Sequence, residues 1–242
     1  MNKKLVVLIV FAILFMLIGI GFLLYPKISN YFYEKDVQKQ KDDFIVKIEK
    51  IESEAESTNN EDKSNILDEL YNLLKQENEN LYKNHQSNLT DPFSYEQSAI
   101  DLSKYGISNN TIGFLRIPKM EIEVPILLGA NKANMLKGAV HLTETSYPIG
   151  GENTNSVIAA HRGYGKATLF RHIEKLEKGD RIYIQNFREE LVYEVYEIKI
   201  ILPTEVGELL IEDGKDIITL LSCHPYRINS HRYVVKAQRV VE

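Results

Sequence analysis

Residues 5–25 read LVVLIVFAILFMLIGIGFLLY and carry no charge. A helix over this run, at about 1.5 Å per residue, is about 30 Å long, which matches the hydrocarbon core of a bilayer. The N-terminus is thereby committed to a membrane anchor or an export signal. A cleaved signal would have an apolar region of about 7 to 15 residues ending in small residues at the cut. Here the longer run is followed by Pro26 and Lys27. Residues 1–27 therefore read as an uncleaved single-pass anchor. Lys3 and Lys4 precede the span, while Lys27 and Lys35 follow it, the latter flanked by Glu34 and Asp36. The short leader with its free amine places the N-terminus inside the cell membrane and the rest of the chain outside.

Beyond the span the composition changes twice. From residue 34 to 83 charged and amide side chains dominate, with neither Pro nor Gly, which favours helix. Phe44, Ile45, Ile48 and Ile51 form one stripe at helical spacing, and Ile66, Leu67, Leu70, Leu73 and Leu74 form another. The polar stretch 57–64 breaks the two helices apart. The heptads are too few to specify a coiled-coil partner, so residues 28–88 are expected to be a solvated, helical extracellular stalk. Residues 89–105 form a linker. From residue 106 onward β-rich runs at 111–117, 124–128, 156–160, 181–185, 190–201, 216–222 and 232–241 are separated by Gly, Pro and Asn. Short strands with few long helical stretches predict an antiparallel barrel or sandwich over 106–242. A net charge of −5 without a basic block beside aromatics excludes nucleic acid as an expected partner.

Cys223 is the one cysteine, set in Thr219-Leu220-Leu221-Ser222-Cys223-His224-Pro225. An exported chain with a single thiol cannot form an intramolecular disulfide, so packing or chemistry must account for it. As a buried small hydrophobe it needs no partner. As a nucleophile it does, because a thiol of pKa near 8.5 is only about 3% thiolate at pH 7. Arg232, in the strand after Cys223, offers a permanent charge and forked donors for an oxyanion. His161, at the end of run 156–160, offers a proton donor and acceptor near neutral pH. His141, His224 and His231 compete for the second role. Arg162 and Arg227 compete for the first, although either can simply be solvated.

Three separated signatures point further. They are Gly113-Phe114-Leu115-Arg116-Ile117-Pro118 with Val124-Pro125-Ile126, then Ser156-Val157-Ile158-Ala159-Ala160-His161-Arg162-Gly163, then Thr219-Leu220-Leu221-Ser222-Cys223 with Arg232 beyond. In this order and spacing the chain from residue 112 to 241 resembles the sortases, membrane-anchored cysteine transpeptidases of Gram-positive bacteria. Ser222 stands where the family usually has threonine and keeps the hydroxyl. Asp91-Pro92-Phe93 resembles the lid motif of the class C, pilin-polymerising sortases, and residues 143–153 are also similar to that class. The chain to Glu242 shows no second apolar span of the kind many class C enzymes carry.

The resemblance implies a closed eight-stranded β-barrel with short helices. It implies Cys223 as nucleophile, His161 as acid and base, and Arg232 as stabiliser of the oxyanion or substrate carbonyl. Asp91, Pro92 and Phe93 would form a lid, with Asp91 paired to Arg232 and Phe93 covering Cys223. The implied reaction cleaves a Leu-Pro-x-Thr-Gly sorting signal between Thr and Gly and passes the acyl group from a thioester to an amine. For class C that amine is a lysine of a pilin subunit, so the expected partners are sorting-signal-bearing pilin or surface proteins. A sortase attaching proteins to cell-wall peptidoglycan is one alternative, and a non-catalytic surface-display module is another. No side-chain cluster has metal-ligand spacing, so neither metal nor cofactor is expected.

Overall fold

A computed structural model describes residues 3–57, 65–91, 93, 100–163 and 167–240. The first helix, α1 (Lys3–Ser57), runs through the apolar segment and continues past Pro26 without interruption. Its apolar N-terminal part lies exposed, as suits a segment that faces lipid. The second helix, α2 (Ile66–Lys83), starts at Asn65, whose side chain accepts a hydrogen bond from the Leu67 N–H at 3.0 Å. Asp68 and Glu69 in its first turn and Lys83 in its last complement the helix dipole.

Eight strands follow: β1 (Thr111–Ile117), β2 (Ile122–Leu128), β3 (Ala139–His141), β4 (Thr154–Ala159), β5 (Arg181–Asn186), β6 (Glu190–Ile201), β7 (Asp216–His224) and β8 (His231–Arg239). A one-turn helix, α3 (Lys132–Met135), separates β2 from β3. The sheet closes in the order β1-β2-β3-β4-β7-β8-β6-β5. Closure rules out the sandwich, and the parallel pairs β2–β3 and β4–β7 replace the purely antiparallel arrangement expected from short strands. The strand that the sequence pattern does not show is β3, a three-residue segment too short to display a period of two. Gly113 sits where β1 meets β5: a Cβ there would lie 2.4 Å from the Gln185 carbonyl oxygen, so only glycine permits the close approach.

The helices differ from a solvated spacer in one important way. Leu67, Leu70 and Leu74 of α2 and Ile48 of α1 are buried in the same apolar cluster as Leu115, Ile126, Leu191 and Val235 of the barrel. Phe44 meets Phe114 edge-on with ring centroids 5.6 Å apart, and the Tyr33 hydroxyl donates to the Lys137 carbonyl at 2.9 Å. Asn78 of α2 exchanges hydrogen bonds with the backbone of Tyr147, accepting from its N–H at 2.7 Å. The amphipathic stripes read from sequence are thus barrel-facing, since an apolar helix face gains more by covering the barrel than by standing in water.

Candidate active site

Strands β7 and β8 run antiparallel with Cys223 directly opposite Arg232 and His224 opposite His231. At this end both strands extend further than expected, β7 to His224 and β8 back to His231, so Cys223 lies within β7 rather than in the following loop, and its backbone is held in the sheet. On the other side of β7, β4 runs parallel in the register Ala159 to Leu221, and the Ala160 N–H donates to the Leu221 carbonyl. Two residues further along each strand come His161 and Cys223. The buried Ser222 hydroxyl donates to the Ala160 carbonyl at 2.7 Å, tying the two strands together just before both side chains. A hydroxyl at position 222 is therefore a structural requirement of the junction.

Cys223 is 8% exposed and Arg232 7%. A guanidinium N–H of Arg232 points to the Cys223 sulfur at 3.9 Å and also donates to the carbonyls of Asn229 at 3.2 Å and His231 at 3.1 Å. The other edge of the same guanidinium makes a two-point contact with Asp91, Nε to Oδ1 at 2.8 Å and NH2 to Oδ2 at 2.7 Å. Phe93 lies with its ring 4.7 Å from the Arg232 guanidinium carbon and 5.9 Å from the His161 ring. Phe93 packs with Leu89 onto a small apolar cluster that includes Met135, Leu142 and Ile201. Asp91 and Phe93 thus close over the groups flanking the sulfur, while Pro92 lies outside the described residues.

Burial pushes the Cys223 thiol above its ordinary pKa; Arg232 and Arg162 oppose this, and the Asp91 carboxylate adds to it. Burial also pushes His161 below its ordinary value. Burial works against the charge on Arg232, but the hydrogen bonds and charge of Asp91 outweigh it and hold that guanidinium above its usual range. The two shifts at Cys223 and His161 favour the uncharged pair, thiol and neutral imidazole, while the site is covered. An oxygen-bearing substrate reaching this place would meet a nucleophilic sulfur, a fixed cation and an imidazole on one strand-end platform.

The rivals separate by position. His141, the last residue of β3, is buried, stacked on Tyr147 at 4.9 Å and with Nε2 3.0 Å from the Ser146 carbonyl oxygen; burial drives its pKa down to about 4. It is a core side chain. His231 points to Ser230, and Arg227 lies over Tyr226 at 5.3 Å in the β7–β8 loop. Arg162 is not a solvated side chain but a buried one. It is 6% exposed, behind Cys223, in a group with Glu174 and His224 that no motif in the sequence brings together. The adjacency of His161 and Arg162 is visible in the sequence, but nothing there shows on which side of the strand the arginine falls.

Comparisons with known proteins agree with this geometry. The family described as Sortase domain matches residues 115–240. Sortase A of Bacillus anthracis is 30% identical over 181 residues, covering 70% of this chain and 83% of the relative. Among solved structures, "Sortase C1 of GBS Pilus Island 1" superposes with a TM-score of 0.73 at 30% identity, covering 85% of this chain and 98% of that one. The lid mutant of Streptococcus agalactiae sortase C1 superposes with a TM-score of 0.65 at 31% identity, covering 73% and 90%.

Proposed function

The chain belongs to the sortase family of cysteine transpeptidases, and we propose that it is a class C enzyme that joins pilin subunits outside the cell membrane. Anchored by residues 5–25 with its N-terminus inside, it presents the barrel to substrates on the outer face. The substrate is a protein bearing a Leu-Pro-x-Thr-Gly type sorting signal. The Cys223 thiol passes its proton to His161 as its sulfur attacks the threonine carbonyl carbon, and Arg232 with neighbouring backbone N–H groups holds the developing oxyanion. The C–N bond to glycine breaks as His161 gives a proton to the leaving amine, and a thioester remains on Cys223. A lysine amine of a second pilin subunit then loses its proton to His161 and attacks the thioester. The isopeptide bond forms and the thiolate is released.

The observation that carries this reading is the placement of Cys223 opposite Arg232 in β7–β8, with His161 at the matching end of β4. Asp91 and Phe93 act as a lid: the carboxylate occupies the Arg232 donors that an oxyanion needs, and the ring covers the groups beside the sulfur. The substrate must displace both, which removes a negative charge from the neighbourhood of the thiol. Support for the pilin role comes from the likeness to a sortase named for a pilus island. The test is to incubate the purified chain with a sorting-signal peptide and to offer a pilin lysine peptide and a cell-wall peptide amine in separate reactions. We expect a thioester at Cys223, its absence in Cys223→Ala, and product with the lysine peptide. Linked product from Cys223→Ala would end the mechanism, and product with the wall amine alone would end the pilin assignment.

A further inference from the structure

We propose that Arg162 is a positioning residue for catalysis, locking the backbone that carries His161 to the backbone that carries Cys223. Its side chain leaves the main chain one residue after His161 and reaches the end of β7. There NH1 donates to the Cys223 carbonyl oxygen at 3.4 Å and lies 3.4 Å from His224 Nδ1. Glu174, in the short helical segment Leu169–Lys175, grips the guanidinium at two points, Oε1 to NH1 at 3.2 Å and Oε2 to NH2 at 2.8 Å. The same carboxylate lies 3.1 Å from His224 Nδ1, so the residue following the nucleophile joins the cluster. The Phe170 N–H donates to the His161 carbonyl at 3.1 Å, which returns the segment bearing Glu174 to the histidine. A closed circuit results: His161, Arg162, Cys223 carbonyl, His224, Glu174 and back to His161.

Stability alone is a poor reason for this arrangement. A buried guanidinium carries a large desolvation cost, and apolar side chains of the same volume commonly stabilise a core as well or better. The Arg162 Nε is buried with no hydrogen-bond partner among the described residues, an added cost that an apolar residue would not incur. Position explains what stability does not. The thiol and imidazole come from two parallel strands whose direct pairing ends at Ala160 and Ser222, just short of both side chains, and their separation controls both proton transfer and attack. One forked side chain rooted beside the imidazole and bonded to the carbonyl of the nucleophile fixes that separation. Glu174 largely balances its charge, so the residual effect on the thiol is a modest favouring of the thiolate.

This inference rests on the reading of Cys223 and His161 as the reacting pair, and the experiment separates the two. The full-length chain in nanodiscs is made as Arg162→Met, Arg162→Lys and Glu174→Gln, each also with Asp91→Ala so that lid opening does not mask the chemical step. Turnover of a dye-quencher Leu-Pro-Glu-Thr-Gly peptide gives kcat and KM, and iodoacetamide labelling across pH gives the titration of Cys223. The charged and titratable groups facing the sulfur are Arg232, Asp91, His161 and Arg162, with Glu174 and His224 behind. Arg162→Met is expected to lower kcat about 10²-fold, the loss typical of a misplacement near 1 Å. KM should stay within about threefold, because ground-state binding is untouched. Its labelling midpoint moves to higher pH, Arg162→Lys recovers part of kcat, and Glu174→Gln falls between. Wild-type kcat and midpoint in Arg162→Met would overturn the proposal. If Arg162→Met does not fold, Glu174→Gln decides, and undiminished kcat there overturns it equally. Cys223→Ala runs alongside: turnover surviving that change defeats the mechanism itself rather than the role of Arg162.

Discussion

Two arginines approach the same thiol from opposite sides, and each is gripped by a carboxylate at two points. Arg232 in front is held by Asp91 from a segment outside the barrel, whereas Arg162 behind is held by Glu174 and bonded to the Cys223 backbone. The chemistry of the two pairs is alike; their mechanical settings differ. The front pair joins the barrel to a segment whose described apolar contacts with it are chiefly those of Leu89 and Phe93, and the proposed lid motion would release that segment while the barrel stays folded. The back pair joins the ends of β4 and β7 to the segment Leu169–Lys175, which is held to the barrel core by the buried Leu169, Phe170 and Ile173. In the proposed reading an ion pair of one geometry serves as a latch on one side and as a brace on the other. The segment that bears the carboxylate decides which.

The comparison breaks most visibly at the front arginine. Arg232→Ala should lower kcat by about 10²- to 10³-fold, as loss of an oxyanion donor does, measured with the sorting-signal peptide. A near-normal rate would leave Arg232 as a partner of Asp91 and nothing more. The next effect has the opposite sign. Asp91→Ala with Phe93→Ala releases a charge-assisted two-point contact of about 1.5 kcal/mol, so iodoacetamide labelling of Cys223 should accelerate about tenfold. Unchanged labelling would mean that the segment does not act as a cover.

The smallest effect sharpens the contrast by direction. In the native chain the thiol is raised, so labelling rises late with pH. Removing Asp91 deletes a negative charge that disfavours the thiolate and admits water, and both changes move the labelling midpoint down. Removing Arg162 deletes a positive charge and moves it up. Equal directions for the two variants would collapse the distinction between latch and brace. Recording both curves at low and at high salt adds a control, since Glu174 of the back pair is 47% exposed against 22% for Asp91, and the back pair should be screened more.

Much of this is legible along the chain. The uncharged run announces a span because its length matches a bilayer, and the stripes at Ile48 and at Leu67, Leu70 and Leu74 announce helix because their spacing is local. Cys223, His161 and Arg232 are legible through their motifs, and Asp91 and Phe93 through theirs. What is not legible has a common cause. The strand β3 has too few residues for a periodic signal, and its place beside β2 is set by the barrel closing around it. The helical stripes do not say what they cover. Arg162 looks like any charged residue after a histidine, since its burial depends on Glu174 arriving from a different segment.

By itself the amino-acid sequence determined an N-terminal helix long and apolar enough to cross a membrane, the helical and β-rich halves and the residue types able to do acyl transfer. Each of these follows from composition, spacing or motif along the chain. Only the tertiary structure decided that the helices cover the barrel, that β4 meets β7 in parallel, and that Arg232 pairs with Asp91 while Arg162 pairs with Glu174. Those outcomes depend on which distant segments share a desolvated space, where an unpartnered charge is expensive and a partnered one becomes specific.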